Sequence, residues 1–107
     1  MNTYQEAQLH ALADPTRRAI LTRLRGGPLA VGVLASDFPV SRPAISQHLR
    51  VLKDARLVKD RPDGNRRLYQ LDPAGFDSLR EYLEQFWTDA LTSFKKRVEE
   101  RRPRRKR

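Results

Sequence analysis

SRPAISQHLRVL, residues 41–52, is the stretch on which the reading of this chain turns. Ser41 suits the cap of a helix and Pro43 its first turn, while Ile45, Leu49 and Leu52 recur at the spacing of one buried face. The opposite face carries Arg42, Pro43, Ser46, Gln47 and Arg50. Guanidinium, hydroxyl and amide groups at that spacing suit the base edges and phosphates of a DNA major groove. Taken alone, the same pattern also fits a solvated helix on the surface of a small bundle.

The segments before it narrow the choice. Residues 30–37 form a short helical pattern with Val31, Leu34 and Ala35 facing inward, stopped by Phe38-Pro39. A three-residue connection, Phe38 to Val40, then leads to the Ser41 helix. Two short helices joined so tightly, the second bearing the polar face, read as a helix-turn-helix. Further upstream, Asp14-Pro15 marks a helix start, and Ile20, Leu21 and Leu24 supply its apolar face until Gly26-Gly27-Pro28 ends it. Residues 5–13 make a weaker helical pattern on Ala7, Leu9, Leu12 and Ala13, too short to stand without packing partners.

Beyond the central stretch the helix runs out near Ala55. Residues 57–61 and 66–71 read as strands around the turn Pro62-Asp63-Gly64-Asn65. The hairpin carries Arg61, Arg66 and Arg67, as a wing reaching for phosphates or a minor groove would. The plainer alternative is a charged tip that keeps an edge soluble. Asp72-Pro73 opens the longest periodic segment, with Phe76, Leu79, Leu83, Phe86, Ala90 and Phe94 in line and Tyr82, Trp87 and Leu91 on the flank. So wide a stripe exceeds what one small domain covers, which predicts pairing with a second copy through Leu79, Leu83, Phe86, Trp87 and Ala90. Packing within the chain alone is the competing account. From Lys95 the pattern fades, and six basic residues among the last seven, with Pro103, predict a disordered tail. The expected organisation is one winged helix-turn-helix domain over residues 1–100 and a basic tail over 101–107. It is mainly α, with about five helices and a two-stranded β-hairpin wing.

Composition sets the class of partner. A chain of 107 residues with formal charge +9 and pI near 10.8 is one domain whose natural partner is a polyanion. The charge is uneven, with eight basic against three acidic residues from Ser41 to Arg67, whereas Asp77, Glu81, Glu84 and Asp89 outnumber Arg80 between Phe76 and Phe94. No cysteine is present, which removes disulfides, thiolate metal sites and thiol catalysis. The first residues lack the basic start and apolar core of a secretion signal, and no apolar run reaches spanning length, so a cytoplasmic location is expected.

In this order the motifs resemble the ArsR-type family of bacterial winged-helix repressors. The words that carry the resemblance are ALADPTRRAILTRL at residues 11–24, PLAVGVLA at 28–35 and SRPAISQHLRVLKDARLV at 41–58. It implies a dimer whose first and last helices form the interface, adding Leu9 and Leu12 to the residues above, and operator binding that often controls the repressor's own operon. Metal-sensing members carry a cysteine-rich box on the third helix, where this chain has Ala30, Gly32 and Val33, and a second site on the last helix uses histidines, of which none lies beyond His48. The resemblance therefore points to a branch without metal sensing, similar to the SdpR-like regulators, and no metal or other cofactor is expected. The family usually places glycine before the Leu-Val pair that follows the recognition helix. This chain has Arg56 there, which predicts a strained or altered helix exit.

An enzyme is excluded by the lack of any nucleophile, base and orienting group together, since the only histidines are His10 and His48. A protein-interaction module would show apolar anchors where the central helix shows Arg42, Ser46, Gln47 and Arg50. Single-stranded RNA binders would show a stacking sheet or a glycine-rich clamp, and neither is present. The expected function is a dimeric DNA-binding transcription regulator, a repressor of its own and neighbouring genes acting on a palindromic operator, with a transcriptional activator as the alternative. Ser41, Arg42, Pro43, Ser46, Gln47, Arg50, Arg61, Arg66 and Arg67 form the expected DNA surface. A small-molecule effector, if one exists, is expected at the dimer interface near Tyr82, Phe86 and Trp87.

Overall fold

Ile45, Leu49 and Leu52, the apolar face read from the central stretch, are all fully buried, and the other elements pack around them. The structure is a computed structural model that describes residues 3–101. Its elements are α1 (Thr3–Leu12), α2 (Pro15–Leu24), β1 (Leu29–Ala30), α3 (Val31–Ser36), α4 (Arg42–Asp54), β2 (Val58–Asp63), β3 (Arg66–Leu71) and α5 (Pro73–Arg101). Ala11 of α1, Ile20, Leu21 and Leu24 of α2, Leu34 of α3, Leu57, Val58 and Leu79 complete one core. This is the expected helix-turn-helix, with α3 and α4 packed together across the turn.

The helix starts follow their caps. Asp14 accepts hydrogen bonds from the backbone N–H of Thr16 and Arg17 at 2.8 and 3.0 Å, and Ser41 Oγ accepts from the N–H of Ala44 at 3.3 Å. The N–H of Arg17 and the other cap contact hold the Asp14 carboxyl below its ordinary range, against the opposing effect of desolvation. At the end of α2, Gly27 sits at φ 126°, a conformation open to glycine, and donates its N–H to Leu24 O at 3.0 Å.

Three expectations need correction. The sheet has three strands in the order β1-β3-β2, because Leu29 and Ala30 pair with Tyr69 and Leu68 instead of opening the third helix. Only the pairing partner, 38 or more residues away, makes a two-residue strand there. Pro62 lies within β2 rather than in the turn, which is allowed because β2 is an edge strand. The turn itself is Gly64-Asn65, with Gly64 at φ 65°. On α1 the buried residues are Gln8 and Ala11, whereas Ala7, Leu9 and Leu12 are half-buried and Ala13 is exposed in the turn. The helix is rotated to bury a polar side chain for a reason found at the next junction.

There, the end of α4 meets the start of α5. Arg56 adopts φ 62°, the left-handed conformation that glycine takes most readily and other residues rarely. Its guanidinium stacks over the Tyr4 ring, 4.1 Å from the centroid. Gly75 packs so closely on this exit that a Cβ would fall on the Arg56 carbonyl. Gln8, fully buried, donates from Nε2 to Ala55 O and Gly75 O, both at 3.1 Å, so one amide satisfies a carbonyl from each helix. α5 then continues for 29 residues, about 43 Å at the usual rise. It does not fray at Lys95 but runs to Arg101, and the rest of the basic tail lies outside the described residues.

Gly75→Ala forces its methyl against backbone rather than a side chain that could swing away, so the two helices must separate. A loss of about 3 kcal/mol is expected in urea unfolding. A change within experimental error would show that the α4–α5 contact is looser than described.

Candidate nucleic-acid interface

α4 presents two faces with no mixing between them. Ile45, Leu49 and Leu52 point into the core, and Arg42, Pro43, Ser46, Gln47 and Arg50 are all exposed along the other side, together with the cap Ser41. Because the buried face is anchored along its length, the exposed groups are held on a rigid rod. His48, between the faces, is half-buried with Nδ1 3.4 Å from Arg17 Nη1, while Arg17 Nε donates to Ala11 O at 2.8 Å. His48 thus belongs to the packing that seats α1 and α2 beneath the helix.

The wing stands beside the N-terminal end of α4. Arg42, Asn65, Arg66, Arg67 and Tyr69 surround one cleft of about 240 Å³ with Ala30 and Val31 at its floor. Three arginines, one from the helix and two from the hairpin, therefore line one recess, a concentration of positive charge that suits phosphate oxygens. Arg61, on the edge strand, is exposed and makes no ion pair among the described residues.

The other wing arginines are tethered. Arg66 pairs across the turn with Asp63 at 3.1 Å, both exposed. Arg67 Nε lies 2.7 Å from Asp60, and Lys53 Nζ at the end of α4 lies 2.8 Å from the same carboxylate. Asp60 has a side chain only 5% exposed and links the recognition helix to both strands of the wing. The hydrogen bond from Lys53, then that from Arg67, lowers its pKa against the opposing desolvation. Sequence reading missed Asp60 by counting it among charges. The signal was present in the strand alternation, since Asp60 shares the inward face of β2 with Val58 and lies diagonal to Arg67 in the register.

The residues expected at a dimer interface are scattered in a single chain. Leu9 and Leu12 are half-buried against the core and Leu79 is inside it, whereas Leu83, Phe86, Trp87 and Ala90 lie exposed on α5. An open apolar groove of about 610 Å³ runs along Phe76, Leu79, Leu83, Phe86 and Trp87.

A helix-turn-helix with an exposed polar reading face, followed by a basic hairpin beside it, defines a winged helix-turn-helix DNA-binding protein. Comparison with known proteins narrows the class. A family described as a helix-turn-helix domain matches residues 12–61. The HTH-type transcriptional regulator Rv2034 of Mycobacterium tuberculosis is 64% identical over 96 residues, which is 88% of this chain and 90% of that protein. The transcriptional repressor SdpR of Bacillus subtilis is 44% identical over 62 residues, covering 58% of this chain and 69% of SdpR. A solved ArsR-like transcriptional regulator from Rhodococcus superposes with a TM-score of 0.74 at 31% identity, covering 87% of this chain and 91% of that one. The chain belongs to the ArsR-type family of winged helix-turn-helix transcriptional regulators, and it is a DNA-binding regulator rather than an enzyme.

Asp60→Asn removes the charge that gathers Lys53 and Arg67. Both partners are half exposed, so a cost of about 1–2 kcal/mol is expected. A carboxylate with a lowered folded pKa stabilises fully above its ordinary value near 3.8, and that stabilisation is lost as pH falls through the folded value. The stability gap between wild type and Asp60→Asn should therefore hold at neutral pH and close in acid below that value. Operator affinity should fall even though the variant carries one negative charge fewer. Equal gains for operator and random DNA would mean that Asp60 acts only as a charge.

Proposed function

We propose that this regulator is a dimeric repressor that binds a palindromic operator, controls its own and neighbouring genes in the bacterial cytoplasm, and does not sense metals. The observation that carries the reading is the exposed row Arg42, Pro43, Ser46, Gln47 and Arg50 on a helix whose other face is fully buried. Arg42, Ser46 and Gln47 supply donors and acceptors for base edges, and Pro43 supplies an apolar contact for a thymine methyl. Arg50, Arg61, Arg66 and Arg67, with the capping Ser41, meet phosphates and hold the register. Repression is supported by SdpR, which is named a transcriptional repressor.

Dimerisation is supported by the exposed apolar residues of α5, because a charged, basic chain gains nothing by leaving Phe86 and Trp87 in water. Each subunit then reads one half-site, and twofold protein symmetry matches a palindrome. Independence from metals is supported by the absence of cysteine and by histidines at only His10 and His48, neither of which lies on α5.

Gln47→Ala should weaken operator binding by about 1–3 kcal/mol and relax the preference at particular base pairs, while binding to random DNA stays unchanged. Footprints over a randomised operator library read both effects, and an unaltered base preference would move the reading face elsewhere. In the same binding assay, zinc, nickel, copper or a chelator should leave operator affinity where it was. A stoichiometric metal that shifts it would overturn the metal-independent reading.

A further inference from the structure

The junction of α1, α4 and α5 holds a cleft of about 330 Å³ that shares no lining residue with the wing recess or the apolar groove of α5. Its lining grades from neutral to cationic. Gln8, Val58 and Gly75 are buried and form the floor, whereas Lys53, Arg56 and Lys59 are exposed around the mouth. The floor carries one group with nothing to bond. Nε2 of Gln8 donates to Ala55 O and Gly75 O, which fixes the orientation of the amide, and the fully buried Oε1 is left without a donor among the described residues. A buried acceptor in that state is costly, and folded proteins keep few of them.

At the mouth, Arg56 rests its guanidinium on the Tyr4 ring, and neither Arg56 nor Lys59 makes an ion pair among the described residues. Lys53 is the third cation, and it holds Asp60 at 2.8 Å, which ties the end of α4 to the base of the wing. The one acid on the cleft, Asp72, is engaged by the N–H of Ala74 at the start of α5. The α5 groove differs, because its only charged lining residues, Arg80 and Glu84, pair with each other at 3.3 Å. What would complete the cleft is a negative charge at its mouth and a hydrogen-bond donor at its floor, the few polar contacts that orient a ligand in an otherwise apolar site.

We propose that this cleft binds a small organic acid that also carries a hydroxyl or N–H group, and that its occupancy weakens operator binding. The carboxylate of the ligand meets Arg56, Lys59 and Lys53 at the mouth, and its donor reaches Oε1 of Gln8. In the free chain Oε1 is closed to water, so the donor enters as Arg56 leaves the exposed Tyr4 ring for the carboxylate. The regulatory effect runs through Lys53. A carboxylate in the cleft competes with Asp60 for its ammonium, and Asp60 left with Arg67 alone no longer fixes the wing to the end of α4. A ligand shifts an equilibrium only by binding one state better than the other, and competition for Lys53 supplies that difference. The regulation rests on the reading of the chain as an operator-binding repressor, whereas the site stands on the cleft alone.

The probe is para-hydroxybenzoate, with benzoate lacking the donor and phenol lacking the charge. Titrated into the isotope-labelled full chain, it should give saturable amide shifts at Ala55, Lys59 and Gly75, and each analogue should bind about tenfold more weakly. Lys59→Gln alters an exposed side chain, so the fold should hold, and it should weaken para-hydroxybenzoate about fivefold while leaving phenol unchanged. Shifts centred on Trp87, equal binding of the two acids, or no saturable shift would overturn the site. In the operator assay, saturating para-hydroxybenzoate should lower wild-type affinity about fivefold or more. Asp60→Asn, with Lys53 already released, should bind the acid more tightly and lose no further operator affinity on saturation. A saturated cleft with unchanged operator affinity would sink the regulation and leave the repressor reading intact. A wild-type chain that binds no operator would remove that reading, and the regulation with it, while the site remained.

Discussion

The architecture depends on one junction, where a buried glutamine bonds a carbonyl at the end of α4 and a carbonyl in the first turn of α5. The recognition helix ends where α5 begins, and the approach is close enough that only glycine fits at position 75. Packing backbone on backbone strips water from Ala55 O, just past the last turn of α4, where a buried carbonyl without a donor is costly, while Gly75 O, inside α5, gains a second donor. Gln8 reaches both with one amide, which draws α1 into the same junction. Arg56 completes the turn in the left-handed conformation, where its guanidinium rests on Tyr4 of α1. The angle between α4 and the helix that carries the exposed apolar face is therefore set by hydrogen bonds and close contact rather than by a flexible linker. A change on either helix is felt by the other.

Electrostatics organises the reading surface within that frame. A chain with so many basic residues must keep its cations from repelling one another out of position. Asp60 does this at the base of the wing by gathering Lys53 and Arg67, while Asp63 holds Arg66 across the turn. Arg42, Arg50 and Arg61 make no ion pair among the described residues and are exposed. The basic residues thus divide into those tied to a carboxylate and those that are not, and Arg66 and Arg67, though tied, keep more than half of their side chains exposed. The apolar groove along α5 lies apart from the recess between α4 and the wing.

Much of this was legible in the residues. Asp14-Pro15 and Ser41 to Pro43 start helices because capping and proline geometry act within one turn of chain. The faces of α4 follow from a spacing of three and four that any helix imposes. Arg56 signalled its unusual backbone because the family resemblance leads one to expect glycine there. The tethering role of Asp60 lay half in view, in the alternation of β2, but its partners come from α4 and β3.

What the sequence by itself determined is local and periodic: helix starts, buried faces, the basic hairpin and the class of partner its charge selects. The tertiary structure alone decided that Leu29-Ala30 is a strand, that Gln8 is buried in preference to Leu9, and that Gly75 cannot carry a side chain. Each of these depends on a contact between segments distant in the chain. Periodicity records which residues share a face, but which carbonyls are buried, and what must donate to them, is settled only when two backbones meet.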